Sequence, residues 1–149
     1  MADVKVNTGT TVGMSATLPT TYDGHATTGY TPVVFTDIGE VIDIGEIAKA
    51  FNVIEHQTVT RDYPQKLKDT YNIANVTLTL GKVDSNTGQV LLQTALAADA
   101  SYSFKFTLPA GVAYVTAKVI KAGLGAIASG AVSTTTVELT IDPNTLFEA

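Results

Sequence analysis

Apolar and polar positions alternate with a period of two along most of the second half of the chain. Val76, Leu78 and Leu80 alternate with Thr77 and Thr79. Tyr102, Phe104, Phe106 and Leu108 alternate with Ser103, Lys105 and Thr107. Ala113, Val115, Ala117 and Val119 alternate with Tyr114, Thr116 and Lys118, and Val137, Leu139 and Ile141 with Glu138 and Thr140. A period of two predicts strands with one face buried and one wet. Pro109-Ala110-Gly111 makes the second and third of these a hairpin. One segment switches to the helical period. After the turn and cap cluster Asp84-Ser85-Asn86-Thr87-Gly88, residues Leu91, Leu92, Ala95 and Leu96 fall on one face and predict a helix over about 87–98. Lys121 to Ala131, rich in Gly and Ala, reads as a mobile or bulged connection.

The first half is less regular. Val12 to Leu18 predicts a strand closed by Pro19, and 20–31 is turn-rich around Asp23-Gly24 and Gly29. The tetrapeptide Asp37-Ile38-Gly39-Glu40 recurs as Asp43-Ile44-Gly45-Glu46. A spacing of six is even, so on a strand each residue and its copy share a face. On a helix six residues turn ~600° and scatter the copies, and each internal glycine costs roughly 1 kcal/mol. The expectation is an extended acidic ribbon jointed at its two glycines, where a bulge or bend is expected; without such a bulge Asp37 and Asp43 share one face and Glu40 and Glu46 the other. Residues 48–65 fit no period and read as a long loop or loose hairpin, of a length that is usually functional in compact domains. Residues 1–11 read as an arm and 143–149 as a tail whose Leu146 and Phe147 need apolar cover. The chain is thus expected to be a single domain over 1–149. Its class is mainly β, a β-sandwich or partly closed barrel with one flanking helix.

Composition supports that class. Threonine, a β-branched strand former, occurs 24 times, while charged residues are only 15%. The net charge of -5 disfavours specific binding to nucleic-acid phosphates, though not passage of DNA nearby. With no cysteine, thiolate catalysis, disulfides and zinc-thiolate sites are excluded. The first residues lack a signal peptide's apolar core and no run approaches the roughly 20 residues of a membrane span. A soluble protein of cytoplasmic synthesis is therefore expected.

Candidate chemistry is sparse. His25 lies in a polar turn and His56 beside Glu55, but no nucleophile motif accompanies either, and surface histidines are the plainer reading. Four carboxylates at 37–46 suggest calcium, which takes six to eight oxygens. Their spacing is not that of an EF-hand, and ligands split over two strand faces suit a solvated acidic strand better. No phosphate-cradling motif occurs. Tyr22, Tyr30, Tyr63 and Tyr71 fall in or near loops, where they either cap the sandwich ends or meet partners. No enzyme, cofactor or metal is expected.

Several segments, in order, resemble the tail tube proteins of long, non-contractile-tailed bacteriophages. These are Phe35 to Glu46, Phe51-Asn52, Lys66-Leu67-Lys68 ahead of a Thr/Leu strand, Asp84 to Gln89 opening a helix, Tyr102-Ser103-Phe104-Lys105, and the last Val/Ser/Thr strand. The resemblance covers roughly residues 15–142, and the chain departs from it over 121–131. It implies a structural virion protein whose hexameric rings stack into a hollow tail tube. Strands of every subunit would join one inner barrel, with the helix outside, and the tube would conduct viral DNA to the host. The implied partners are further copies of the chain, a tape measure protein within the tube, a terminator and a distal tail protein. Phe51, Val53, Ile54, His56 and Arg61 in the long segment, with Leu146 and Phe147 in the tail, become candidate assembly residues. Asp37, Glu40, Asp43 and Glu46 become candidates for the lumen or for pairing between subunits. A tail terminator or secretion-tube ring protein is the related alternative, and a monomeric sugar- or calcium-binding β-sandwich the more distant one.

Overall fold

A computed structural model describes residues 8–148. Most of the 1–11 arm lies outside the described residues. Ten strands and one α-helix follow in the order β1 (Thr11–Ser15), β2 (Thr36–Ile38), β3 (Val41–Ile44), β4 (Lys49–His56), β5 (Gln65–Ile73), β6 (Val76–Gly81), α1 (Thr87–Ala97), β7 (Tyr102–Leu108), β8 (Gly111–Leu124), β9 (Thr134–Ile141) and β10 (Phe147–Glu148). The fold is mainly β and sandwich-like, with antiparallel pairing throughout and no closed barrel.

The main sheet runs β2-β1-β7-β8-β9-β6-β3, with β10 added on β8. Its alternating strands supply the core. Phe104 and Phe106, Val115 and Ala117, Val137 and Leu139, and Leu78 and Leu80 are buried, as are Val12 and Met14 of β1. The 14-residue β8 is the corner piece: its first half pairs β7 through Tyr102↔Ala117, and its second half pairs β9 from Ala117↔Ile141 onward. A register shift between Val119 and Lys121 accompanies the bend. The connection expected at 121–131 is therefore partly strand: Lys121, Ala122, Gly123 and Leu124 all pair β9.

The two ends of the sheet, β2 and β3, are consecutive in the chain and separated only by Gly39 and Glu40. At 3.8 Å per residue the chain there spans at most about 11 Å, so the sheet must curl until its edges approach. This breaks the expected single ribbon. The even spacing does turn Ile38 inward and half-buries Ile44, with Asp37 and Asp43 exposed, but the two copies sit on opposite edges of the sheet. Glu40 breaks the strand with a left-handed backbone, φ 59°.

The helix N-terminus pins that corner. Asn86 caps α1, its Oδ1 accepting from Gln89 N at 3.1 Å and from Gly39 N at 3.3 Å. Gln89 donates from Nε2 to the carbonyls of Gly39 (3.2 Å) and Gly81 (2.8 Å), and its Oε1 accepts from Val83 N at 3.0 Å. A Cβ on Gly39 would fall 2.5 Å from Asn86 Nδ2, so this approach requires glycine. Leu92 and Ala95 carry the helix onto the core.

Candidate assembly surface

Residues 49–73 form a two-stranded sheet separate from the main one. The segment expected as a long loop or loose hairpin at 48–65 is part of a long hairpin, with β4 as its first arm, a tip at 57–64 and β5 as its second arm. Every residue of β4 is exposed, and every residue of β5 except Ile73. A period-two signal arises only where one face is buried, which is why the sequence showed none here.

Cross-strand partners share a face. The pairs Lys49↔Ile73, Phe51↔Tyr71, Val53↔Lys68 and Glu55↔Lys66 define one side. Between the second and third pairs one residue on β4, Asn52, faces two on β5, Asp69 and Thr70, which is a bulge. Phe51 and Tyr71 meet at 5.5 Å between ring centroids. Lys49 Nζ lies 4.6 Å from the Tyr71 centroid and Lys68 Nζ 5.0 Å from that of Phe51. The opposite side carries the pairs Ile54↔Leu67 and His56↔Gln65. Arg61 folds the tip on itself: its N donates to Thr58 O, its Nε to Thr58 Oγ1 and its Nη1 to Gln65 Oε1 at 2.8 Å. Val59 and Tyr63 at the tip are exposed. Tyr71, expected to cap a sandwich end or meet a partner, and Leu67, expected only as part of the Lys66-Leu67-Lys68 run, join the candidate assembly residues on this hairpin.

The remaining candidates lie elsewhere. Leu146 packs against the core, and Phe147 stacks on Tyr114 at 6.0 Å and pairs it through β10. The apolar cover expected from a neighbour is thus supplied by the chain itself. Tyr30, for which capping a sandwich end was one of the two expected roles, is fully buried as such a cap. It stacks on Tyr114 at 5.1 Å, and its hydroxyl donates to Thr145 O and bonds Thr116 Oγ1, both at 2.9 Å. Burial pushes its phenol pKa upward, against the pull of those two hydrogen bonds. Beside it, the turn at 20–31 is organised by Asp23, whose carboxylate accepts from His25 N and Thr21 Oγ1, each at 2.9 Å, and is held below its usual pKa chiefly by the backbone bond.

Asp37, Glu40, Asp43 and Glu46 are all exposed. Asp43 lies on the sheet-edge strand β3, where Ile42 also stands exposed at a register shift. Behind β3 a cleft of about 620 Å³ opens between Val41, Ile44 and Ile47 on one side and Phe106, Leu108 and Leu146 on the other. Among the described residues no three His, Asp or Glu side chains converge as a metal site, and His25 and His56 lie on different segments, the 20–31 turn and β4.

Neither a family model nor a curated protein matches the sequence. Solved structures do match its fold. A chain of the anti-feeding prophage baseplate, symmetrised six-fold, aligns with a TM-score of 0.66 at 15% identity over 95% of this chain and 94% of that one. A sheath/tube terminator structure of an extracellular contractile injection system aligns with 0.62 at 12% identity, covering 95% and 96%. The tube-terminating cap of the anti-feeding prophage aligns with 0.58 at 13% identity, covering 99% and 97%. The fold is therefore that of phage-tail-like particle proteins: a tail-tube-like fold. At these identities the likeness concerns the fold alone.

Proposed function

We propose that the chain is a structural subunit of a phage-tail-like particle, assembling as six-membered rings that stack into a tube for DNA. The observation that carries this is the 49–73 hairpin. A two-stranded ribbon without a core is at best marginally stable in water. This one exposes Phe51, Val53, Ile54, Leu67 and Tyr71, residues that a monomer gains nothing by displaying. Packing against neighbouring copies would cover them and extend the curled main sheet from its free edges, which otherwise invite uncontrolled pairing. Phe51, Val53, Ile54 and His56 then belong to the contact, with Arg61 shaping the tip. Leu146 and Phe147 hold the tail in place behind it. The role is not enzymatic, and the particle's other tail proteins are its further partners. Six subunits at -5 each give a ring of -30, a wall from which DNA phosphates are repelled.

Likeness to a terminator and a cap favours one second reading, a single ring that ends a tube. Negative-stain electron microscopy of the purified chain separates the two. Hollow tubes of regular repeat support the tube subunit, isolated rings support the terminator, and discrete monomers at high concentration reject both.

A further inference from the structure

The charges of the chain are segregated. Residues 49–73 hold Lys49, Arg61, Lys66 and Lys68 against Glu55, Asp62 and Asp69, a net of +1, so the rest of the chain carries -6. Three lysines share the hairpin face that also bears Phe51, Val53 and Tyr71, with Glu55 paired opposite Lys66 and Asp69 in the bulge beside Lys68. Among the described residues the only ion pairs are Lys82–Asp84 and Lys118–Asp99, so these lysines have no carboxylate partner within ion-pair distance. The same holds for Glu40, Asp43 and Glu46. Those three flank Ile42 in the chain, and Ile42 is 60% exposed on the edge strand β3. One surface is thus aromatic with a basic border, and the other aliphatic with an acidic border.

We propose that the lysine face of the hairpin docks on the acidic β3 edge of a second copy of this chain. Phe51, Val53 and Tyr71 would cover Ile42, while Lys49, Lys66 and Lys68 meet Glu40, Asp43 and Glu46. The contact is head-to-tail, using different surfaces on the two copies, and such contacts close into rings or continue as helices. It rests on the ring-forming reading above and adds which surfaces meet. It also assigns the doubled Asp-Ile-Gly-Glu segment a pairing role between subunits rather than a role facing DNA. Charge on both sides selects this partner, because like-charged alternatives repel.

Reciprocal charge reversal tests the pairing. One variant carries Lys66→Glu and Lys68→Glu, the other Asp43→Lys and Glu46→Lys. All four positions are exposed, so both variants should keep the wild-type circular dichroism spectrum and melting temperature. Each alone should raise the critical concentration for assembly at least roughly tenfold, as attraction becomes repulsion. Mixing the two in equal amounts should restore assembly, because alternating copies again present opposite charges. Wild-type assembly should also weaken as salt rises. Normal assembly of either variant alone overturns the pairing and leaves the ring reading intact. So does restoration only when all four changes sit in one chain, which would place the pairing within a subunit. Unchanged assembly with loss of bound duplex DNA would make the lysine face a nucleic-acid surface and equally overturn it. A wild-type chain that never assembles rejects the ring reading, and this inference with it.

Discussion

Replacing Phe51 and Tyr71 together by serine separates folding from assembly. In the lone subunit the two rings meet each other and the ammonium groups of Lys49 and Lys68. Their mutual contact contributes about 0.5–1.5 kcal/mol, confined to a hairpin outside the core. The main melting transition should therefore move by no more than about 6 °C. By contrast Phe104→Ala, at a position with 0% exposure, should cost about 3–5 kcal/mol. In the assembly the balance reverses. Phe51 is 44% exposed and Tyr71 38%, which for rings of roughly 200 Å² leaves on the order of 80 Å² each to be covered. At about 25 cal/mol per Å² that is about 2 kcal/mol per ring, or about 4 kcal/mol per subunit contact. The entropic cost of association is common to both proteins and cancels. The critical concentration, read by sedimentation or light scattering over a dilution series, should rise about 10³-fold. A double variant that assembles at the wild-type critical concentration would refute the reasoning, and so would one whose folded core melts many degrees lower.

Three further outcomes follow from the rest of the fold. Gln89→Ala strands the carbonyls of Gly39 and Gly81 and the N–H of Val83, and should cost about 2–4 kcal/mol by denaturant titration. Tyr30→Phe keeps the stack on Tyr114 but removes both hydroxyl bonds, costing about 1–3 kcal/mol and raising hydrogen exchange in the 143–148 tail. Because the folded phenol pKa is raised, its contribution is complete below the unfolded value of about 10 and is lost as pH climbs through the folded one. Stability followed between pH 9 and 12 should fall more gently in Tyr30→Phe than in wild type. Glu40→Gly relieves a non-glycine residue at φ 59° and should leave stability unchanged or raise it by up to about 1 kcal/mol in thermal melts.

What the sequence made legible follows burial. Leu78, Phe104, Val115 and Leu139 announce their strands because one side of each is core and the other wet. The cluster Asp84 to Gly88 announces the helix start because it offers capping side chains, of which Asn86 accepts from the Gln89 N–H. The hairpin is silent for the opposite reason: with Phe51, Ile54 and Lys66 all exposed, no contrast between faces exists for the pattern to record. The second half of β8 is silent because Ala122 and Gly123 carry little hydropathy. The doubled Asp-Ile-Gly-Glu was expected to part its aspartates and glutamates between two faces, yet all four carboxylates are exposed. Its glycines signalled a bend, but what holds the break at Gly39–Glu40, the side chains of Asn86 and Gln89, lies some fifty residues away. Tyr30 looked like a loop tyrosine because its partners Thr116 and Thr145 are equally distant in sequence.

The central claim is that the 49–73 hairpin is covered by neighbouring copies. Cryo-electron microscopy of the assembled chain tests it most directly. The expected map shows six-fold rings in which both hairpin strands lie against an adjacent subunit, with Phe51 and Tyr71 buried there. A map with the hairpin projecting into solvent, or a chain that stays monomeric at every concentration, would contradict it.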